Sequence, residues 1–245
     1  MKKQLLSGIF FSIILQAGAQ TNFFSSVNIE FEKTTYVHQY YKELEPEWFE
    51  QIKERLPQTF LNYYIYTGSQ EKSIYRPGKE TPVDSRTWYR PVADKNVVFT
   101  DFVKSTTISQ KPVYEETFLI EDSLLPIKWK ITADTRMIAG YNCRKAIGIL
   151  YDSIALFAFY TDEILISGGP EGIQGLPGMI LGLGVPRLHA TWFATKVEVY
   201  DVNLKAITPA IKGKKVTREN MIQSIDKVLK TWGNYGSKMI INYLI

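Results

Sequence analysis

One cysteine and two histidines are all this chain holds of the two side chains that most often bind transition metals. A single Cys excludes an internal disulfide framework and any Cys-based zinc site, and two His exclude a multi-histidine metal cluster. The catalytic signatures that can be read by spacing are also missing. There is no Gly-x-Ser-x-Gly elbow, no His-Glu-x-x-His pair, no EF-hand loop and no Gly-Lys-Ser/Thr after a glycine-rich stretch. No cofactor or metal is implied. Charge of one sign is scarce too: 29 basic against 25 acidic residues leave +4 over 245 positions. The nearest thing to a basic patch is Lys212, Lys214, Lys215 and Arg218, which reads as a solvated loop before a helix, so no nucleic-acid partner is expected.

What is there is an aromatic-rich globular composition, 13% Phe, Trp and Tyr within 45% hydrophobic residues. That is far from the composition of a disordered chain, and the length allows a sizeable core. Residues 1–19 read as a secretory signal. Lys2 and Lys3 precede an apolar stretch from Leu5 to Leu15, and Ala17-Gly18-Ala19 is a small-x-small cleavage site. The expected mature domain is a single one, residues 20–245, with 27 basic and 25 acidic residues. The expected location is outside the cytoplasm: periplasmic, outer-membrane-associated or extracellular. No second long apolar run exists, so no transmembrane segment is expected in the mature chain.

Most of the mature chain alternates with a period of two. Val27, Ile29 and Phe31 alternate with Asn28, Glu30 and Glu32, and Ile127-Lys128-Trp129-Lys130-Ile131 does the same. Further strands are expected at 59–67, 72–76, 97–99, 106–108, 113–120, 155–160 and 188–202. Cys143 to Leu150 faces Met137-Ile138 across a turn at Gly140. Pro46 opens a helix whose Trp48, Phe49, Ile52 and Leu56 share one face. Thr217 caps a longer helix with the stripe Met221, Ile222, Ile225, Val228, Leu229 and Trp232, ended by Gly233. Met239 to Ile245 is apolar and reads as a closing strand. The expected fold is mainly β with a few helices: a strongly curved antiparallel sheet with a C-terminal helix.

The outlier is the glycine segment. Seven of the 16 glycines fall between Gly168 and Gly184, and Gly169, Gly172, Gly175 and Gly178 recur every third residue. Three such units are far too few for a collagen helix. Two physical readings remain. Either glycine and proline set the angles of a compact loop between strands, or the loop lets a ligand or partner approach closely, with Leu176, Met179, Ile180 and Leu181 as an exposed apolar contact. The candidate binding residues are therefore Gly175, Leu176, Pro177, Gly178, Met179 and Ile180, at the mouth or rim of the sheet.

The same residues resemble a family. Gly175-Leu176-Pro177-Gly178-Met179-Ile180 is similar to the motif that names the GLPGLI family, secreted proteins of Bacteroidetes-type bacteria, with Met179 where the motif has leucine. Trp129-Lys130-Ile131-Thr132, Ile138 to Ala146 and Phe159 to Ile164 resemble its upstream blocks, so the likeness spans Trp129 to Leu181. It implies an envelope protein of poorly defined function and supplies no catalytic residue. The pattern of strands also resembles the LolA/LolB-like half-barrel, whose cavity holds apolar ligands such as acyl chains. The leading expectation is a non-enzymatic envelope protein that binds an apolar ligand or a protein partner. The alternatives are a hydrolase or redox enzyme built on Cys143 or on Asp162 and Glu163, and a structural component of an outer-membrane assembly.

Overall fold

The computed structural model describes residues 26–82, 89–200 and 203–245; the expected signal segment lies outside the described residues. Twelve strands form one sheet: β1 (Ser26–Thr35), β2 (Phe60–Ser69), β3 (Lys72–Pro77), β4 (Val97–Asp101), β5 (Thr106–Val113), β6 (Glu116–Ser123), β7 (Ile127–Ile138), β8 (Tyr141–Leu150), β9 (Ile154–Thr161), β10 (Met179–Val185), β11 (Ala190–Val199) and β12 (Lys214–Val216). Their spatial order is β12-β6-β5-β4-β3-β2-β1-β11-β10-β9-β8-β7. The strands up to β6 make one meander and β7 to β11 a second. The two join where β11 lies antiparallel to β1, from Val27↔Val199 to Thr35↔Ala190. The helices are α1 (Val37–Leu44), α2 (Pro46–Ile52), α3 (Arg218–Leu229), α4 (Gly233–Met239) and α5 (Ile241–Leu244). None is long and apolar enough to cross a membrane.

The connectivity forces the sheet to curl. β6 and β7 are consecutive in the chain but ten strand spacings apart in the sheet. A flat sheet would separate them by about 48 Å. Only Leu124, Leu125 and Pro126 join them, and four Cα steps reach about 15 Å at most. The sheet therefore bends almost back on itself, although β6 and β7 do not pair and it stays open. The β7–β8 hairpin bends further, at a register shift between Ile131 and Thr135. Its far end crosses to β11, where the Arg136 guanidinium lies 4.5 Å from the Phe193 ring.

Period-two burial sorts the residues onto two faces. Val27, Ile29, Phe31, Tyr64, Tyr66, Tyr75, Leu156, Ala158, Tyr160 and Trp192 point inward and are buried. The turns that allow the hairpins use positive φ at Ala139 and Gly140, and at Tyr151 and Asp152, the two-residue geometry that matches strand twist. Helix α3 has the expected cap, with Thr217 Oγ1 accepting from Asn220 N at 3.2 Å. Its Met221, Ile225 and Leu229 pack on Phe118 and Ile120 of β6 and on Val113.

Several expectations are corrected. The sheet is mixed rather than antiparallel, because β12 runs parallel to β6. The stretch 113–120 is not one strand: Tyr114 takes φ 54° and turns β5 into β6. Val37–Leu44 forms a short helix, α1, that the sequence pattern did not mark, with Tyr36 at its N-cap. The C-terminal residues do not close the sheet as a strand. They form α4 and α5, and Ile241 and Ile245 enter the main core instead. Met179 and Ile180 belong to a strand, β10, rather than to a loop.

Gly178 tests the packing of this strand entrance. A Cβ there would meet the Thr161 carbonyl. Gly178→Ala is expected to lower stability by roughly 1–3 kcal/mol, the range for overpacking, as read by urea unfolding. Thr217→Ala should lower it by about 1 kcal/mol through loss of the cap.

Candidate functional site

The glycine segment lies inside the curled sheet. From Ile164 to Gly178 it crosses from one wall of the interior to another. A Cβ on Gly168 would meet the Tyr66 hydroxyl of β2, one on Gly172 would meet Val98 of β4 at 3.0 Å, and one on Gly175 would meet Trp129 of β7 at 3.4 Å. Close approach is thus a real use of these glycines, but what approaches is the protein's own sheet. Gln174 secures the seam between β6 and β7. Its side chain donates to Leu125 O at 3.0 Å, and its carbonyl accepts from Trp129 Nε1 at 2.9 Å.

This placement corrects the expected contact surface. Leu176, Met179, Ile180 and Leu181 are 0–2% exposed and belong to the main core. They are the apolar side chains of a segment folded inward, where burial is most favourable. Gly178 is buried as well, and of the six candidate residues only Gly175 and Pro177 are exposed.

The other candidates separate. Cys143 is fully buried, and burial, with Glu163 nearby, pushes its thiol up to about 11. A thiol so held is a poor nucleophile. His38 binds Leu56 O at 3.1 Å and His189 binds Glu43 at 2.7 Å, so neither ring engages Cys143. Asp162 and Glu163 are both exposed in the turn after β9.

Two features emerge that the linear pattern did not announce. The first is a buried polar cluster around Glu171, which the glycine segment carries into the interior with a left-handed φ of 54°. Glu171 is 5% exposed, Lys33 and Lys111 8%, and Asn96 is fully buried. Asn96 Nδ2 donates to Glu171 Oε2 at 3.1 Å. Lys33 Nζ lies 4.8 Å over the Trp192 ring, and Trp192 Nε1 donates to the Tyr75 hydroxyl at 3.1 Å. Lys111 Nζ donates to Tyr243 O at 3.1 Å, beneath α5. Desolvation depresses both lysines, Lys111 to about 8, while the Glu171 charge partly offsets it. Cavities of about 30 Å³ and 20 Å³ flank Glu171, each the size of one water. A single Glu within a glycine-rich stretch is the only sign of it in the sequence.

The second is a trough on the outer face of β9, β10 and β11. Phe157 and Phe159 stand on β9, Phe193 and Thr191 on β11, and glycines occupy the outward positions of β10 between them, with Gly182↔Phe193 and Gly184↔Thr191 in register. Gly182 is covered by Ile138 and Phe193, but at Gly184 the row is bare, and a trough of about 520 Å³ remains there, bounded by Tyr36, Val185, Pro186, Arg187 and His189. A neighbouring annex of about 370 Å³ shares Glu43, Arg187 and His189 with it and is lined also by Lys238, Tyr40, Leu44 and Ile241.

The interior tyrosines set a pH limit. Burial raises Tyr64, Tyr66 and Tyr75 above the usual tyrosine range, and Glu171 adds to the shift at Tyr64 and Tyr75. A group raised in the folded state stabilises below its unfolded pKa, about 10, and that stability is lost as pH climbs past it. In an alkaline titration followed by tyrosinate absorbance, these rings should stay protonated through about pH 11 and ionise together with unfolding. Gradual ionisation of every tyrosine in a folded protein would contradict the burial.

No protein-family profile matches the chain, and no curated protein matches it. Two solved structures of PNGF-II are similar in fold. The one in space group P21 superposes with a TM-score of 0.51 at 14% identity, covering 78% of this chain and 32% of the PNGF-II chain. The one in space group C2 gives 0.52 at 14% identity, covering 85% of this chain and 33% of the other. This chain thus spans about a third of the length of the PNGF-II chains it matches. At that identity the likeness shows a shared fold alone.

Proposed function

We propose that the chain is a non-enzymatic binding module of the cell envelope, of the GLPGLI type, and that its ligand is an amphipathic anion such as a fatty acid. The observation that carries this reading is the glycine-floored trough. Its volume lies in the range of small-molecule sites, and its walls are three half-buried phenylalanines. The annex supplies the other half of the recognition. Arg187 is exposed there, Lys238 donates to the Leu44 carbonyl at 2.8 Å with its ammonium still exposed, and the acidic Glu43 is engaged by His189. An apolar tail in the trough and a carboxylate in the annex match this division.

The LolA/LolB-like half-barrel belongs to this reading as a likeness of architecture, an open curled sheet with helices packed against it. The ligand location differs from that likeness. The interior is occupied by Ile164, Ile166, Ile173 and Leu176 of the chain itself, so the apolar ligand is assigned to the outer face. Export to the periplasm or the cell surface, inferred from residues 1–19, fits a carrier or sensor of such ligands.

Gly184 provides the test. A Cβ there has no neighbour nearer than 3.8 Å, so a larger side chain fills the trough without striking the sheet. Titration calorimetry with oleate is expected to show binding to the native protein. Gly184→Leu should weaken it at least tenfold with an unchanged melting temperature, and Arg187→Glu should weaken it through the carboxylate. Equal binding by Gly184→Leu, or none by the native protein, would sink the reading.

A further inference from the structure

We propose that Lys111 and Asn96 are the two halves of an intramolecular amide crosslink, formed by the folded protein itself with Glu171 as the proton carrier. Three observations place the reactants. In the ladder between β4 and β5, Val97 is the partner of Gln110, so the next position puts Asn96 opposite Lys111. Val98 and Ser109, the preceding inward pair, are also buried, so Asn96 and Lys111 share the inner face. Directly opposed residues of an antiparallel pair have Cβ atoms about 4.5–5.5 Å apart. Both side chains also reach the same short helix and the residue after it, Lys111 to Tyr243 O and Asn96 to Ile245 O at 3.5 Å.

Glu171 stands at the leaving group. Its Oε2 accepts from Asn96 Nδ2, the nitrogen that must depart. Glu171 Oε1 and Asn96 Oδ1 are buried and carry no hydrogen bond from the described residues, although the Tyr75 hydroxyl is a second donor to the Glu171 carboxylate. Leaving such acceptors unpaired is costly, and a buried pair of this kind is a mark of function. The carboxylate thus has a free lone pair for a proton, and the carbonyl is not tied to another group.

The chemistry balances without a further reactant. The neutral Lys111 amine attacks Asn96 Cγ, and the carbonyl electron pair moves onto Oδ1. A water held in the cavity of about 20 Å³ that Lys111 and Glu171 both line passes a proton from the attacking nitrogen to Glu171, which delivers one to Nδ2. The Cγ–Nδ2 bond breaks, ammonia leaves and the carbonyl re-forms, giving a secondary amide. Desolvation favours the neutral, nucleophilic form of the lysine, the usual activation of a reactive lysine. The nearby charges of Arg218 and Lys33 act in the same direction.

Charge balance gives an independent reason. Two buried lysines face one buried carboxylate, and among the described residues neither makes an ion pair with Glu171 within 4.0 Å. An uncompensated ammonium in a core is expensive. Amide formation removes one of the two positive charges and leaves Lys33 to balance Glu171.

The test is peptide mapping by mass spectrometry on the purified native chain. Trypsin cuts after Lys95, Lys104 and Lys128, and Pro112 protects the bond after Lys111. Peptides 96–104 and 105–128 should therefore appear as one branched species, lighter than their sum by one ammonia. Localisation is required because an asparagine also loses ammonia when it cyclises to a succinimide. Lys111→Met and Glu171→Gln should release the two peptides unlinked. Separate, unmodified peptides from folded native protein would overturn the proposal, as would Asn96 converted to Asp with no branch. A branch that persists in Glu171→Gln would remove Glu171 from the reaction. The native-protein result decides the matter even if a variant fails to fold.

Discussion

Three residues govern the shape of this molecule. Leu124, Leu125 and Pro126 must connect two strands that lie ten spacings apart in the sheet order. No flat or gently twisted sheet satisfies that distance, so the sheet curls until its two ends nearly meet. Curling creates an interior, and an interior must be filled to native density. It also leaves a seam where β6 and β7 come near without pairing. The same structure answers both needs with one segment: residues 164–178 fill the interior, and Gln174 bonds across the seam to Leu125.

The glycines of that segment are best understood as clearances. Gly168 and Gly172 each face a wall residue so near that a side chain would have to displace it, Gly175 takes a positive φ of 98° against Trp129, and Gly178 faces a backbone carbonyl. The isoleucines and leucines between them supply the apolar filling. The glycines of β10 serve a different purpose on the opposite face. Gly184 is open toward solvent and leaves the floor of the trough bare between flanking aromatic side chains. One glycine-rich stretch thus shapes both sides of the sheet, the inside by close packing and the outside by omission.

The interior is not uniformly apolar. The inward segment brings Glu171 to a place where β1 contributes Lys33 and β5 contributes Lys111, with Asn96 at the entry to β4. Such a cluster is costly to desolvate. Its residues lie from position 33 to position 171, on elements that the curl alone brings together. A structural core would be cheaper without them, which is why their chemistry, rather than their packing, is the part of the interior that asks for an account.

Local patterns in the sequence determined the strands, the capped helix and the identity of the unusual segment. Alternation at Val27 to Glu32 marks one buried face whatever the neighbours are, Thr217 caps its helix within three residues, and Ala139-Gly140 makes its own turn. Each depends on interactions a few residues long. The sign of the glycine segment's exposure, the pairing of β1 with β11 and the gathering of Lys33, Asn96, Lys111 and Glu171 depend on contacts across tens to more than a hundred residues. Glycine next to leucine reads alike for a surface loop and for a packed one, because periodicity reports spacing and not which side of a sheet is enclosed. Only the curl, set by a three-residue link between distant strands, decided that the motif lies inside and that the open groove lies outside.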